Sequence, residues 1–377
     1  MKRLQTQTLG YPRIGSDRQL KKAQEAYWSG KSESAELLKS FREVQREGLA
    51  AQQRSGIDWI GVGDATLYDQ VLDWTVRFGL IPARYRRFEG LDLYFAMARG
   101  AEGIPALDLT KWYDTNYHYL VPEIEKGIEP RADFDDFLEA IDLAQEVLGD
   151  RAVPIVLGPI TLLSLARLEF PIEDALQALL PLYQELLRKL AGKQIAEVQL
   201  HEPRLVVGGA RELEPLYRQA YGALAGLGLP LNLVTYFDDL GEAYPWALEL
   251  PVSTVTLDFT RGDTLALIRK HGWPKEKVLS AGLVDGRNIW RIQPEQALPL
   301  LEELEKLASL RVSASCSLQF VPYRASRETQ LPGPLQGVLS FAEEKLAEIA
   351  GLGAGAQEFE PAGRAWEAFR SFSVGEP

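Results

Sequence analysis

A single cysteine, Cys316, stands among the 377 residues. That excludes an internal disulfide framework, fits a reducing compartment, and limits metal chemistry, because a structural zinc site takes about four Cys or His ligands. No apolar run reaches the roughly 18 residues that a membrane-spanning helix needs. The first residues, Lys2 and Arg3 ahead of Gln5, Thr6 and Gln7, lack the apolar core of a signal peptide. A cytoplasmic protein is the expectation. Positive charge is also short: 41 Lys and Arg against 53 Asp and Glu give a net charge of −12. The general field therefore repels nucleic acid, anionic membranes and acidic small molecules, and an anionic ligand must find a local basic patch. Missing too are Cys-x-x-Cys, His-x-Cys and His-Glu-x-x-His metal signatures, a Gly-x-x-x-x-Gly-Lys phosphate loop, a dinucleotide fingerprint and the Gly-x-Ser-x-Gly of hydrolases.

What is present is an ordinary globular balance, 46% hydrophobic and 25% charged, enough for a sizeable core. The length suits two domains or one α/β barrel with insertions. The organising stretch is Leu9 to Ala23, LGYPRIGSDRQLKKA, in which a short apolar strand passes through a Pro and Gly turn into a helix. Ser16 with Gln19 has capping-box spacing, which predicts a helix start at about Asp17. Arg18, Lys21 and Lys22 then sit in the first two turns, where cations oppose the helix dipole by up to roughly 1 kcal/mol. A bound anion reverses that balance, and a strand, glycine turn and helix N-terminus suit phosphate or carboxylate groups. A solvated basic helix face is the competing explanation.

Along the chain, Ser34 to Arg54 carries Leu37, Leu38, Phe41, Val44 and Leu49 at helical spacing, with Gly56 as its cap. The strand Ile57 to Asp64 breaks at Gly61 and Gly63 before a helix over about Leu67 to Phe78. Asp108 to Pro122, DLTKWYDTNYHYLVP, departs from the rhythm. Its Lys111, Trp112, Asp114, Asn116, Tyr117 and His118 suit either a wall around a planar ligand or an aromatic loop packed on a barrel rim. Helices over Phe134 to Val147 and about Ile172 to Ala191 follow, with strands at Val153 to Leu157, Val198 to His201, Leu231 to Tyr236, Val255 to Phe259, Val278 to Leu283 and Val312 to Cys316. About nine strand candidates against the eight of a barrel make one accessory. A last helix is predicted over Gly337 to Ala350, giving a barrel over residues 1–350. Beyond it Gly351 to Ala356, GLGAGA, reads as flexible, and Trp366, Phe369 and Phe372 suit a docking tail over residues 351–377.

In a parallel barrel the functional residues lie where strands finish. That collects His201 and Glu202, Asp238 and Asp239, Asp258, Asp285 with Arg287, and Cys316. Cys316, His201 and a carboxylate such as Asp258 are the one conceivable zinc set, but a lone strand-end cysteine is more often a small buried side chain. Asp238 and Asp239 read as acid/base groups or, more commonly, as loop caps.

Six blocks in order, LGYPRIGSDRQLKKA, GVGDATLYDQVLDW, LDLYFAMARG, LTKWYDTNYHYLVPE, AGLVDGRNIWR and SASCSL, resemble the N-terminal half of the cobalamin-independent methionine synthase family over Leu9 to Ala350. The resemblance implies a single α/β (β/α)8 TIM barrel with extra N- and C-terminal helices. It implies methyl transfer from 5-methyltetrahydrofolate polyglutamate to homocysteine activated by zinc. Its folate-tail contacts fall on Arg18, Gln19, Leu20, Lys21 and Lys111. In the family the zinc ligands, most homocysteine contacts and the acid histidine belong to the C-terminal half, which this chain of 377 residues does not include. The resemblance therefore implies no metal here and a separately encoded zinc-bearing catalytic barrel as partner, with the chain holding the folate tail. If the halves arose by duplication, the zinc positions fall at Tyr236, Asp238, Asp258 and Cys316, of which only the cysteine is kept in kind. The rival readings are a self-sufficient zinc methyltransferase built from Cys316, His201, Asp238 and Asp258, and a non-catalytic scaffold barrel.

Overall fold

The short Val, Leu and Ile runs become the staves of one ring. A computed structural model describes residues 3–355 and 360–373. Its barrel strands are β1 Gln5–Gln7, β2 Ile60–Val62, β3 Ala152–Leu157, β4 Val198–His201, β5 Leu231–Val234, β6 Thr254–Asp258, β7 Val278–Val284 and β8 Ser309–Ala314. All neighbours pair in parallel in the order β1-β8-β7-β6-β5-β4-β3-β2. A parallel bridge from Gln7 to Trp59 joins the two ends, with Thr8 N donating to Trp59 O and Trp59 N to Thr6 O, both at 2.9 Å. Sequential strands lie side by side because each is returned by a helical crossover, which is the (β/α)8 arrangement. The first strand is the polar Gln5–Gln7 rather than the apolar residues around Leu9.

The helices are α1 Gln19–Trp28, α2 Ser34–Arg54, α3 Gln70–Arg77, α4 Gly90–Arg99, α5 Asp135–Leu148, α6 Pro159–Ser164, α7 Ile172–Ala191, α8 Glu214–Leu224, α9 Tyr244–Ala247, α10 Thr264–His271, α11 Pro294–Leu307, α12 Gly333–Gly337, α13 Ala342–Ala354 and α14 Glu360–Ser373. Most of the apolar faces close on the barrel. A satellite core lies between α1, α2, α3 and α4, where Leu20, Leu37, Val44, Leu72, Tyr94 and Met97 pack together. That second core gives the N-terminal helices a rigid seat.

The barrel interior is unusual for its polarity. Arg311 and Glu197, both 4% exposed, pair at 2.7 Å across the inside. Glu197 also accepts from Thr254 Oγ1 at 2.7 Å and Asn232 Nδ2 at 3.3 Å, and Asn232 Oδ1 accepts from Thr256 Oγ1 at 2.9 Å. Arg311 lies over the Trp59 ring, 4.1 Å from its centroid. A buried pair of this kind depends on its remaining polar atoms being met, and here all but Arg311 Nε find a partner among the described residues.

Two expectations change. The aromatic stretch is not an irregular loop but an antiparallel hairpin, Leu109–Lys111 paired with His118–Leu120. It lies in the long crossover between β2 and β3, as does Glu123–Ile124, which pairs in parallel with Arg167–Leu168 beyond β3. The GLGAGA segment is helical to Ala354, because α13 runs past Ala350 and tucks Gly353 against β1, where a Cβ would meet Thr6 Cγ2 at 2.4 Å. Ala356 lies outside the described residues. Within α14, Trp366 and Phe369 pack near Trp290, with ring centroids 6.4 and 6.3 Å away, and Phe372 is exposed.

Candidate functional site

The turn that opens α1 is set by its own backbone and by a distant arginine. Gly15 takes a positive φ of 81°, and Arg18 follows at φ 59°, a left-handed conformation that costs a non-glycine residue roughly 1 kcal/mol. The helix therefore starts at Gln19, two residues later than the Ser16 spacing predicts, with Arg18 at its cap position. Gln19 does reach back, but its Oε1 accepts from Asp17 N at 2.8 Å, so the reciprocal Ser16 cap is replaced by a Gln19 to Asp17 bond. Arg327, from the loop after β8, donates to Ser16 O at 2.8 Å and to the Asp17 carboxylate. That hydrogen bond holds Asp17 below the usual carboxylate range.

This geometry sorts the expected ligand residues. Arg18, Lys21 and Lys22 are exposed. Lys21 reaches Glu25 at 3.7 Å, while the side chains of Arg18 and Lys22 have no hydrogen bond or ion pair among the described residues. Leu20 is fully buried in the satellite core, and its N–H is taken by Ile14 O at 3.2 Å. Lys22 N bonds Arg18 O at 3.2 Å, which leaves the N–H groups of Gln19 and Lys21 without a partner among the described residues. Free donors and cations at a helix start, with the neighbouring acid Asp17 engaged by Arg327, form an anion-accepting surface.

The hairpin carries Lys111 on an exposed strand opposite His118. The hairpin is held to the barrel mouth at several points. Asp69 caps α3 by accepting from Val71 N at 2.8 Å and Leu72 N at 2.9 Å, while its other oxygen accepts from Leu120 N at 3.1 Å. Burial pushes this carboxyl up to about 7. At the tip, Arg287 donates to Asp114 O at 2.9 Å and to its carboxylate, and lies 4.9 Å from the Phe237 ring. Tyr117 OH donates to Gln319 O at 2.6 Å, and its ring meets Phe320 edge-on. Trp112 turns inward and is 2% exposed.

Beneath the hairpin Arg13, Gln70, Trp112, Tyr117, His118 and Phe320 border a gap of only about 30 Å³. Small-molecule sites need about 300 Å³ or more. The inner hairpin face is thus packed against the rim and offers no ready slot for a planar ring. Arg13 donates to Thr66 O at 3.0 Å and Tyr68 O at 2.6 Å, and so ties the α1 entry loop to the same rim.

The strand-end acids and His201 are occupied by the fold. His201 is 3% exposed, meets Gln199 Oε1 at 3.1 Å, and is pulled down to about 3 by burial. Asp258 accepts from Phe237 N at 3.1 Å and from Thr260 N and Oγ1 at 2.7 Å, and burial pushes it up to about 6. Burial also raises the Cys316 thiol, whose sulfur lies 3.7 Å from Ser317 O. Among the described residues no three His, Cys, Asp or Glu side chains come together as metal ligands. His201, Asp258 and Cys316 are not brought together as a ligand set among the described residues, and the Asp258 carboxylate is spent on loop amides, so the suggested set does not fit zinc. Asp238 and Asp239 act as loop caps, accepting from Asp239 N at 2.9 Å and from Gly241 N at 2.7 Å.

Sequence reasoning missed Asp64, Asp69, Arg13 and Arg327, and gave Glu202 no partners. One signal was available for Asp64. Gly10 precedes it across the rim, and a Cβ there would meet Asp64 Oδ2 at 2.5 Å, so the glycine admits the acid that takes Tyr11 N at 3.0 Å.

The fold and rim together define a closed parallel α/β barrel with a hairpin-capped mouth and a basic helix start at its edge. The profile described as "Cobalamin-independent synthase, N-terminal domain" matches residues 5–309, and the chain belongs to that family. A 5-methyltetrahydropteroyltriglutamate–homocysteine methyltransferase from Thermosynechococcus vestitus is 55% identical over 347 residues, covering 92% of this chain and 46% of that protein. The protein of the same name from Trichodesmium erythraeum is 51% identical, covering 98% of this chain and 51% of its own length. The chain thus spans about half the length of the curated relatives it matches. A solved B12-independent methionine synthase from Shewanella sp. W3-18-1, with selenomethionine bound, shares the fold at TM-score 0.65 and 14% identity, covering 92% of this chain and 96% of that one. No helix among the described residues is long and apolar enough to cross a membrane.

Proposed function

We propose that this barrel binds the polyglutamate tail of 5-methyltetrahydrofolate and orients it for methyl transfer to homocysteine on a second, zinc-bearing barrel. The observation that carries the reading is the start of α1. Among the described residues Arg18 and Lys22 have no ion pair, the N–H groups of Gln19 and Lys21 are unclaimed, and Arg327 fixes the turn that presents them while taking up the neighbouring Asp17 carboxylate. A triglutamate tail is a string of carboxylates, and charge-assisted hydrogen bonds to such groups are short and strong. In a chain of net charge −12, so local a patch suits one anionic segment rather than a broad anionic surface.

In this reading Arg18 and Lys21 pair with tail carboxylates and Gln19 offers its N–H. Leu20 contributes by anchoring the helix in the satellite core, and Lys111 reaches the tail from the hairpin. The chain supplies orientation, and no bond is made or broken by its own side chains. The names of the relatives supply the donor and the acceptor, and their additional length has room for a barrel that carries the metal.

Calorimetric titration of the chain with 5-methyltetrahydropteroyl-triglutamate at low and raised salt, beside Lys21→Ala and Lys111→Ala, tests this. Saturable binding that weakens with salt and in both variants is the expected result. No binding by the wild type sinks the folate role of the isolated barrel and leaves a scaffold.

A further inference from the structure

The hairpin carries two basic side chains with nothing to hold. Lys111 lies directly opposite His118 in its ladder. Trp112 N bonds Tyr117 O at 2.8 Å beside this pair, and Val121 N bonds Asp108 O at 2.8 Å further along. By that alternation Lys111 and His118 are a non-hydrogen-bonded pair, the kind whose side chains stand closest on one face. Both are exposed, and neither side chain has a hydrogen bond or ion pair among the described residues. With His118 protonated the two are like charges placed opposite each other, which is unfavourable unless an anion lies between them.

The acids around the pair are already engaged. Asp108 pairs with Arg167 and Asp114 with Arg287, each arginine coming from another part of the chain. Asp69 gives its oxygens to the amides of Val71, Leu72 and Leu120. The same device recurs at the start of α1, where Arg327 takes up Asp17. Lys111 and His118 are therefore left facing solvent without an acid of their own. His118 also stands between the two groups of tail contacts. It borders the small gap beneath the hairpin together with Arg13, and Arg13 belongs to the loop that enters α1. A ligand running from Lys111 to the start of α1 crosses this junction.

We infer that His118 is a further specificity-determining residue of the polyglutamate site, its imidazole N–H donating to a tail carboxylate that lies between those held by Lys111 and by α1. A neutral imidazole keeps one N–H donor and the imidazolium has two, so the bond needs no particular protonation state. This assignment rests on the folate-tail reading and adds to it a contact beyond the first glutamate. His118 therefore favours a long tail over a short one.

The test is a calorimetric titration of the full chain with 5-methyltetrahydropteroyl-triglutamate and with the monoglutamate, for the wild type, His118→Phe and His118→Lys. Phenylalanine keeps a ring on the strand and removes both donors, while lysine restores a donor. Expected for the triglutamate is about tenfold weaker binding in His118→Phe, as for the loss of one charge-assisted hydrogen bond, and recovery to within about threefold of the wild type in His118→Lys. The monoglutamate is affected less. Because the position is exposed, the circular dichroism spectrum and melting midpoint stay unchanged. Triglutamate affinity in His118→Phe equal to that of the wild type overturns the inference and leaves the folate-tail reading standing. Weakening in the same proportion for the monoglutamate overturns it too, as does a His118→Lys variant as weak as His118→Phe, which puts the effect on the packing of the hairpin. A wild type that binds no triglutamate sinks the folate-tail reading itself, and this inference with it.

Discussion

Asp69 accepts the amide of Leu120 with one carboxylate oxygen while the other caps α3, so a single buried side chain fastens the hairpin to the helix beneath it. Asp69→Ala removes the cap, worth about 0.5–2 kcal/mol, and leaves the Leu120 N–H unpaired, worth about 1–3 kcal/mol more. A loss of about 2–4 kcal/mol in urea unfolding is expected. The hairpin amides should also exchange faster than those of α7. A loss under about 0.5 kcal/mol means that the hairpin is held by its rings alone.

Arg287 and Asp114 join the hairpin tip to the loop after β7, but Asp114 is 79% exposed. Solvent-exposed pairs contribute little to global stability, about 0–1 kcal/mol. Arg287→Met is therefore expected to leave the unfolding midpoint almost unchanged while speeding hydrogen exchange at Tyr113 to Asn116. Equal exchange rates in the two proteins count against Arg287 as the clasp.

Inside the barrel the balance is different. Replacing Arg311 by Met leaves Glu197 as an uncompensated buried charge, and breaking one side of such a pair costs about 3–5 kcal/mol. Adding Glu197→Gln to Arg311→Met is expected to restore part of that loss. A double variant no more stable than Arg311→Met means that Arg311 acts through its packing on Trp59 instead.

The zinc alternative makes its own forecast. With Cys316 fully buried and Asp258 spent on Phe237 and Thr260, the purified chain after dialysis is expected to hold well below one zinc, and Cys316→Ala to leave folate-tail binding unchanged. One tightly held zinc, released by Cys316→Ala, restores the self-sufficient reading.

The parts legible in the sequence are those fixed by local periodicity. α2 over Ser34–Arg54, α7 over Ile172–Ala191 and β4 over Val198–His201 fall where the apolar spacing puts them. The parts that were not legible depend on distant partners. The start of α1 moves to Gln19 because Arg327, 311 residues away, holds Ser16. β1 reads poorly as a strand because Gln7 serves a polar interior shared with Asn232, and no local pattern announces that. The hairpin is obscured because Trp112 is buried while its neighbour Tyr113 takes a positive φ of 48°, which breaks the alternation that a strand search relies on. Glycine-rich composition likewise suggested flexibility at Gly353, where contact with Thr6 demands the missing Cβ. For the site, the cations were visible from their position at a helix start, but the turn that presents them was not.

Glu202 offers a test of the buried acids through pH. It accepts from Thr161 N at 2.8 Å, Thr161 Oγ1 at 2.6 Å, Ile160 N at 3.2 Å and Tyr217 OH at 3.3 Å, yet burial outweighs these bonds and pushes it from 4.5 to about 7. The folded chain then binds this proton more tightly than the unfolded chain. The contribution to stability is full below about pH 4 and is lost as the pH rises through about 7, a change on the order of 3 kcal/mol. Glu202→Gln cannot titrate, and its amide also meets donors, so the variant is less stable at low pH. What discriminates is the slope. Between pH 5 and 8 the unfolding free energy of the wild type is expected to fall relative to that of Glu202→Gln, narrowing the gap between them. Parallel curves mean that the four donors keep Glu202 ionised throughout, and that burial is not what governs this carboxyl.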